Sequence, residues 1–168
     1  MRILAVFDEK DYADTTKVFE KYNIRGIVLQ DGKIVMQQSK DGEYKIPGGG
    51  VEAGESHIEA LRRELREEAG LILKQDSVKE LGEITEIRKD IFDADTKYIC
   101  HSLFYLCEVT EERVPLALTA SEIKKGYKPV WEAPEIIYQT NTRISKDSWI
   151  KRDTAFIKML CDGAFQDI

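Results

Sequence analysis

The sequence predicts an α+β fold in which a mixed β-sheet lies between α-helices. Runs rich in β-branched and aromatic residues alternate with segments of helical periodicity, in the order strands, helix, strands, helix. A length of 168 residues with 42% hydrophobic content is enough for one core and small for two. We therefore expect one domain over residues 1–168, with its centre at about 20–140, an added N-terminal strand and an added C-terminal helix.

The chain is predicted to begin with a strand. Residues 1–7 form an apolar run with one positive charge, and acidic residues follow closely. This run is too short for the apolar segment of a signal peptide, and no later run approaches the length of a membrane span. Cys100, Cys107 and Cys161 show no paired spacing, which favours free thiols in a reducing compartment. We expect a cytoplasmic protein without membrane contact.

A β-hairpin is expected next. Residues 24–29 and 34–38 are both β-rich, and they are joined around the dipeptide Asp31-Gly32. This dipeptide suits the left-handed positions of a tight hairpin turn. The two runs are therefore predicted to pair with each other.

A glycine-rich loop follows the hairpin. A second turn at Asp41-Gly42 leads into a short strand at residues 44–46, which Pro47 ends because proline lacks a backbone donor. Three consecutive glycines then occupy residues 48–50. Because glycine has no side chain, the backbone of this loop can approach another group closely.

The helix at about residues 57–69 has the clearest signals. Ser56 and Glu59 form a capping-box pair at its start, and Gly70 stands where a helix commonly ends. Apolar residues recur along it at spacings of three and four, namely Ile58, Leu61, Leu65, Ala69 and Ile72. The helix is therefore predicted to pack one face on the core.

The second half of the chain is predicted to return to strands and to end in helices. The predicted strands are 80–87, 98–109 and 127–131, and the predicted helices are 133–138 and 149–161. The acidic segment 90–95 is expected to be the loop between the first two strands. Residues 148–153 are interpreted as part of a helix that packs on the core, with a homodimer contact as the alternative.

Three glutamates of the main helix share one arc of its surface. At 100° per residue, Glu64, Glu67 and Glu68 lie within an arc of about 100°, and Ala60 is the one residue among them. Two arginines of the helix fall on the far side, which disfavours the alternative of a solvated face held by charge pairs. Ala60 is expected to leave open space above the carboxylates. Because such carboxylates repel one another, the arc predicts a bound divalent cation.

The net charge of −6 supports the same prediction. It disfavours a nucleic-acid polymer as partner, since such binding depends on clustered Lys and Arg. An acidic protein that acts on an anionic substrate needs a cation between the two. Oxygen ligands suit Mg²⁺, with Mn²⁺ as an alternative, and such an ion can neutralise a diphosphate and orient an attacking water.

The same segment resembles the signature of a known family. Gly49, five residues, Glu55, seven residues and then Arg63-Glu64-Leu65-Arg66-Glu67-Glu68-Ala69-Gly70-Leu71 match the Nudix box of the Nudix hydrolases at every defined position. The resemblance implies a mixed sheet between helices, an Mg²⁺ cofactor, and hydrolysis of a nucleoside diphosphate linked to another group.

The resemblance also implies roles for single residues. The implied metal ligands are Glu64, Glu67, Glu68 and the carbonyl of Gly48. Glu55 and Arg63 resemble the structural pair that fixes the loop against the helix. Gly49 and Gly70 complete the structural part of the box.

Further site residues are expected outside the box. In many members of the family an acid ahead of the last strand is a further ligand or the general base, and Glu122 is the first candidate here. The alternatives for the base are Asp93, Asp95, Glu86, Glu64 and Glu68. Arg25 is a candidate for a bidentate contact with a substrate phosphate. The candidates for stacking on a nucleobase are Phe92, Tyr98, Tyr105, Tyr127 and Trp131.

The sequence leaves the substrate open. Nucleoside triphosphates, ADP-ribose and NDP-sugars all occur as substrates in the family, and the small acidic chain favours the first of these. A nucleotide sensor that keeps the fold without catalysis is the alternative from another class, although the complete carboxylate set disfavours it. In each case the expected partner is a small nucleotide-like molecule.

Overall fold

The computed structural model describes residues 1–144 and 148–166 of the chain. Its strands are β1 (Ile3–Asp8), β2 (Lys17–Ile27), β3 (Leu29–Gln30), β4 (Lys33–Gln38), β5 (Tyr44–Lys45), β6 (Leu71–Leu73), β7 (Lys79–Lys89), β8 (Thr96–Leu106), β9 (Val109–Arg113) and β10 (Lys128–Glu132). Its helices are α1 (His57–Ala69), α2 (Ala120–Lys125), α3 (Pro134–Ile144) and α4 (Ser148–Cys161). The α+β class is confirmed. Within the described ranges, no helix has the length and apolar character needed to cross a membrane.

The largest sheet is mixed, with the strand order β1-β7-β8-β2. The two central strands β7 and β8 are antiparallel, while β1 and β2 join their outer edges in parallel. Parallel neighbours need a long connection. Between β2 and β8 this connection contains α1, which packs on one face of the sheet.

A second sheet has the order β10-β4-β3, and β5 pairs with β4 outside this path. It carries β5, from which the glycine loop leaves, and β10, which follows α2. A two-stranded ladder of β6 and β9 holds the chain directly after α1. The predicted strand at 80–87 is confirmed as part of β7, and the strand predicted at 127–131 is present one residue later, as β10.

The predicted hairpin is present but shorter than expected. Its turn residues Asp31 and Gly32 have φ values of 51° and 75°, as the sequence predicts, and they join β3 to β4. Residues 24–27 do not take part, because they continue β2 and pair in parallel with β8. The chain changes sheets at Val28, whose carbonyl accepts from the Val35 amide at 3.2 Å. The prediction that residues 24–29 pair with 34–38 was therefore wrong for most of the first run.

Two other boundaries differ from the prediction. The run at 98–109 is two strands, because β8 ends at Leu106 and β9 begins at Val109. The helix expected at 133–138 continues to Ile144 as α3. In both cases the apolar pattern is similar on each side of the boundary, so periodicity alone cannot locate it.

The short helix α2 is absent from the sequence prediction, although its signals are present. Thr119 accepts from the Glu122 amide and Glu122 accepts from the Thr119 amide, which is the same capping box that begins α1. Gly126 ends the helix with φ 68°. Because α2 has only 6 residues and none of them is buried, it lacks the apolar face by which α1 is recognised.

Two apolar clusters form the interior, one on each face of the sheets. The first joins α1 to β2 and β8 and contains Leu61, Leu65 and Leu103. The second joins the sheets to α3 and α4 and contains Phe104 and Phe156, whose rings stack at 4.2 Å between centroids. Leu103 and Phe104 are neighbours in β8 and serve opposite clusters, as strand alternation requires. The sheets therefore lie between helices.

Ala60 does not leave open space above the carboxylates, and that expectation was wrong. It is fully buried and belongs to the first apolar cluster. The reason is that the carboxylate arc itself is partly buried, since Glu64 and Glu68 face the glycine loop rather than solvent. The position one turn before them therefore packs on the core.

Helix α4 packs on the core of its own chain. Ile150, Phe156 and Ile157 are buried, and so are the charged residues Arg152 and Asp153. This agrees with the packing interpretation of residues 148–153, and a homodimer stays a prediction. The predicted domain range of 1–168 also includes residues 145–147 and 167–168, which lie outside the described ranges.

Candidate active site

A cavity of about 530 Å³ lies between the glycine loop and α1. Its acidic wall residues are Glu52, Glu64, Glu67, Glu68 and Glu122, and its basic wall residues are Lys21, Arg25, Lys45 and Arg63. The structure therefore brings together the three glutamates of α1, the candidate base and the candidate phosphate contact. Arg25 lies on β2, Lys45 on β5, the three glutamates on α1 and Glu122 on α2. Segments that are distant in the sequence are therefore neighbours in the fold.

Arg63 fixes the loop to the helix. Its Nε and Nη2 donate to the two oxygens of Glu55 at 2.8 and 2.9 Å, a bidentate pair. Its Nη2 also donates to the Gly50 carbonyl at 3.0 Å, and its Nη1 donates to Glu64 Oε1 at 2.7 Å. One guanidinium thus connects the glycine loop, the start of α1 and a predicted metal ligand. This geometry matches the structural role that the resemblance implies for Glu55 and Arg63.

Replacing Glu55 with glutamine is expected to lower the free energy of unfolding at pH 7 by about 1.5–3 kcal/mol, the usual worth of a hydrogen bond to a charged group. The hydrogen bond from Arg63 lowers the pKa of Glu55 to about 2, below its ordinary value of 4.5. The stability that the folded pair contributes is therefore present above about pH 4.5 and is lost as the pH falls toward 2. Urea unfolding at pH 7 and pH 3 measures the difference, which should be smaller at pH 3.

Glu52→Gln is the matched control for this prediction. The Glu52 side chain is 72% exposed and lies 4.0 Å from Arg63 Nε. An exposed pair of this kind contributes little. Equal losses of stability in the two variants would contradict the structural role of Glu55.

Glu68 is the most buried carboxylate of the site. Its Oε2 accepts from the Gly48 amide at 2.7 Å and its Oε1 accepts from Lys45 Nζ at 2.9 Å. Burial raises the pKa of Glu68 to about 7, even though these two donors favour the charged form. Glu68 therefore ties the glycine loop to α1 and is a carboxyl group that needs nearby positive charge to stay ionised.

Glu122 lies beside Glu68 on the cavity wall. Its Oε1 is 3.7 Å from Lys45 Nζ, and its Oε2 accepts from the Thr119 amide at 2.8 Å. Burial alone would raise the pKa of Glu122, but hydrogen bonds from the Glu68 carboxyl and from Thr119 outweigh it and hold the pKa at about 2. Because its pKa is low, Glu122 is ionised at neutral pH. It lies on the short helix α2, whereas the sequence predicted a loop.

Glu64 and Glu67 differ in exposure. Glu64 is buried, burial raises its pKa, and its partner is Arg63. The Glu67 side chain is 40% exposed, and its Oε2 lies 3.6 Å from Arg63 Nη1. Among the glutamates of the arc, Glu67 has the weakest structural contacts and the most access to solvent.

The first two glycines of the loop allow this close approach. Gly48 has φ 142°, and a Cβ there would overlap the Ile24 carbonyl of β2. A Cβ at Gly49 would overlap the carboxylate of Glu64. The loop backbone is also bonded to β2, since the Ile24 amide donates to the Gly49 carbonyl at 2.9 Å. At Gly48, glycine is therefore required by space as well as by backbone angle, whereas at Gly49 a larger residue would displace the Glu64 carboxylate.

Gly48→Ala is expected to cost about 1–3 kcal/mol of stability for the backbone conformation alone, with a further loss because the loop must move away from β2. Gly32→Ala is the control, since Gly32 also has a positive φ but nothing within 4 Å of an added Cβ. It should cost about 1 kcal/mol. Urea denaturation of both variants separates the two contributions. Equal losses would mean that the close approach at Gly48 has no energetic consequence.

The wall fits a divalent cation by its donor chemistry. Carboxylates and a backbone carbonyl supply oxygen ligands, and the carboxyl of Glu68 gains from added positive charge. Lys45 and Arg63 supply that charge in this structure. Throughout residues 1–144 and 148–166, no three acidic, His or Cys side chains are already grouped closely enough to hold a metal ion. In the same part of the chain, Glu68 pairs with Lys45 and Glu64 pairs with Arg63.

Arg25 is buried rather than free at the surface. Its Nη1 donates to the Ile46 carbonyl at 3.2 Å and to the Gly48 carbonyl at 2.6 Å. The candidate carbonyl ligand therefore already accepts a strong hydrogen bond from a cation. Arg25 Nε has no hydrogen-bond partner among the described residues. The role of Arg25 toward a phosphate stays a prediction.

The other sequence candidates lie elsewhere. Asp93 and Asp95 hold the loop between β7 and β8 through hydrogen bonds to Thr96 and Thr16. Glu86 pairs with Arg152 below the surface. None of these three acids lines the cavity, whereas Glu122 does.

Aromatic side chains are absent from the described wall of this cavity. Tyr105 is buried and bonded to His57 Nδ1 at 2.8 Å, and Phe92 is 92% exposed in a loop. Tyr127 lines a neighbouring cavity together with Trp149. Trp149 was not among the stacking candidates that the sequence suggested, so the sequence reasoning missed it. It also missed Lys45, because a single lysine in a two-residue strand carries no pattern.

Comparison with known families agrees with the sequence resemblance. A family model described as the NUDIX domain matches residues 21–152. The chain is 42% identical over 59 residues to an ADP-ribose pyrophosphatase of Methanocaldococcus jannaschii, and 45% identical over 64 residues to a U8 snoRNA-decapping enzyme of Homalodisca vitripennis. These segments cover 33% and 38% of this chain. They cover 35% and 31% of the relatives, so the chain spans about a third of the length of the curated relatives it matches.

Solved structures share the fold. The solution structure of the Escherichia coli ORF135 protein has a TM-score of 0.58 and 22% identity, and the match covers 90% of this chain and 96% of that one. The crystal structure of a MutT NUDIX hydrolase from Burkholderia pseudomallei has a TM-score of 0.52 and 19% identity, with 70% and 85% coverage. Identities this low show the fold alone. Since a family model that covers more than three quarters of the chain agrees with this fold and with the box on α1, the chain belongs to the Nudix family of hydrolases.

Proposed function

We propose that this protein hydrolyses a diphosphate linkage in a nucleoside diphosphate derivative, with Mg²⁺ as its metal ion and a nucleoside triphosphate as the leading substrate. The observation that carries the proposal is the cavity in which the glutamates of α1 meet Glu122 and a set of basic side chains. The acids provide oxygen ligands for a divalent cation, and the basic residues provide contacts for phosphate. A relative named as an ADP-ribose pyrophosphatase supports the same reaction class.

Four acids of the wall and one backbone carbonyl have roles in the proposed reaction. Glu64, Glu67 and Glu68, with the Gly48 carbonyl, would hold the metal. When bound, Mg²⁺ supplies charge neutralisation of the diphosphate and a lowered pKa for a coordinated water. Glu122 is the proposed general base, since it lies on the same cavity wall as Glu68 and stands ahead of the strand β10.

The proposed chemistry is a substitution at phosphorus. A water oxygen forms a bond to one phosphorus of the linkage, and the bond from that phosphorus to the bridging oxygen breaks. The proton of the water passes to the base, and the bridging oxygen leaves with the second phosphorus. The products are a nucleoside monophosphate and a second phosphorylated compound.

A substrate panel with product identification tests this proposal. Nucleoside triphosphates, ADP-ribose and NDP-sugars are incubated in ¹⁸O-water with Mg²⁺, with Mn²⁺ or with EDTA. The products are then separated and identified by mass spectrometry. We expect metal-dependent turnover with ¹⁸O in one phosphorylated product, which also identifies the phosphorus that was attacked. Tight nucleotide binding without turnover of any compound would overturn the proposal in favour of a nucleotide sensor.

A further inference from the structure

A second cavity, of about 260 Å³, lies beside the candidate active site. Arg25, Lys45, Thr119 and Glu122 line both cavities, so one bound molecule can extend from the first into the second. The remaining wall residues are Ser121, Lys125, Tyr127, Trp149 and Arg152. Helices α2 and α4 supply most of this wall, and neither helix is part of the Nudix box.

The wall of the second cavity has an excess of positive charge. Arg25, Lys45, Lys125 and Arg152 line it, with Glu122 as the one acid among the described lining residues. Asp153 and Glu86 partner Arg152, but neither lines the cavity. Burial and the nearby Arg152 lower the pKa of Arg25, as expected where two guanidinium groups lie close together.

Three buried polar atoms of this wall have no hydrogen-bond partner in the described part of the chain. They are Arg25 Nε, Arg152 Nη2 and Tyr127 Oη. Arg152 Nη2 lies 2.8 Å from Asp153 Oδ1, but without the angle that a hydrogen bond needs. The three residues are only 5%, 2% and 6% exposed. Buried donors are almost always satisfied, so these three atoms leave hydrogen-bonding capacity on residues that line the cavity.

We propose that the second cavity binds a phosphoryl group of the substrate that is not part of the cleaved linkage. A phosphoryl group offers several acceptor oxygens and negative charge, which matches two arginine donors and a hydroxyl. A neutral nucleobase would offer no negative charge to the four cationic side chains of this wall. The inference rests on the proposed function in one respect, namely that the bound phosphoryl group belongs to the substrate. It favours substrates with a phosphate beyond the cleaved pair, such as nucleoside triphosphates, over ADP-ribose and NDP-sugars.

The test measures binding of inorganic phosphate by ¹H–¹⁵N NMR in EDTA, without metal or turnover. The chain has two tryptophans, so two indole N–H signals report on two places. Trp149 lines the cavity, whereas Trp131 packs against the first apolar cluster and is the internal control. At constant ionic strength, phosphate but not chloride is expected to shift the Trp149 signal to saturation. The Trp131 signal should stay in place.

Two variants and a matched control locate the binding. Lys125→Gln removes a wall charge from the exposed side of α2 and is expected to raise the dissociation constant about threefold. Arg152→Lys keeps the charge but loses the guanidinium fork, and an increase of about tenfold is expected. Lys124→Gln changes the preceding residue of α2, which does not line the cavity, and should leave the dissociation constant unchanged. If Arg152→Lys does not fold, the comparison of Lys125→Gln with Lys124→Gln decides.

Three results would overturn the inference. They are a Trp149 signal that phosphate does not shift, equal weakening by Lys125→Gln and Lys124→Gln, and a shift by an unphosphorylated nucleoside but not by phosphate. The last would assign the cavity to a nucleobase. Because the assay needs no turnover, a protein that binds phosphate but cleaves nothing would overturn the proposed function, while the second cavity would still be a phosphate site.

Discussion

Glu67→Gln is expected to lower kcat for the diphosphate substrate by about a hundredfold or more, since losing several kcal/mol of charge stabilisation at the metal costs roughly tenfold per 1.4 kcal/mol. The change keeps the size of the side chain and removes its charge. Glu67 is the cleanest of the three glutamates to test, because its side chain is 40% exposed and its Oε2 lies 3.6 Å from its ion-pair partner, Arg63. Stability should therefore change little.

The measurement is kcat as a function of Mg²⁺ concentration, together with the midpoint of thermal unfolding. Glu112→Gln is the matched control, because Glu112 is exposed on β9 and does not line the cavity. Glu68→Gln should also lose activity, but Glu68 holds Lys45 and the Gly48 amide as well, so its loss mixes structure with chemistry. A folded Glu67→Gln protein with full activity would rule out Glu67 as a metal ligand.

The part of the site that lies on α1 could be predicted from the sequence. The capping box, the apolar spacing and the carboxylate arc are all contained within about four turns of one helix. Their relative positions are fixed by helix geometry, whatever the rest of the chain does. Local geometry also explains why Gly70 was correctly predicted to end the helix.

The rest of the site depends on contacts between distant segments. Lys45 reaches Glu68 because β5 pairs with β4 and ends at the glycine loop, and no local pattern encodes that contact. Arg25 is buried because β2 continues into the large sheet instead of forming the predicted hairpin. Glu122 was identified as a candidate, but its capping role on α2 was overlooked even though Thr119 stands three residues before it. Of these three gaps, only the last could have been closed from the sequence.

Asp153→Ala is expected to lower the free energy of unfolding by about 3–5 kcal/mol, because it leaves a buried charge without its main partner. Asp153 is fully buried, and its Oδ1 accepts from Arg152 Nε at 2.9 Å. Its Oδ2 accepts from the Ile46 amide at 2.9 Å, directly before the glycine loop. Helix α4 thus holds the backbone that leads into the glycine loop of the candidate site. Asp162→Ala is the control, since Asp162 and its partner Lys158 are both exposed and a pair of this kind contributes little.

The same variant tests the prediction that α4 belongs to a single domain. Trp131 lies in β10 and Trp149 in α4, so single-tryptophan versions of the protein report the unfolding of each part separately. If the chain is one cooperative unit, both signals should have the same urea midpoint, and Asp153→Ala should lower both midpoints equally. A lower midpoint for Trp149 alone would mean that α4 detaches from a core that folds without it. The buried ion pair of Arg152 and Asp153 would then hold an appended helix, and the loop at Ile46 would keep its conformation when α4 is detached.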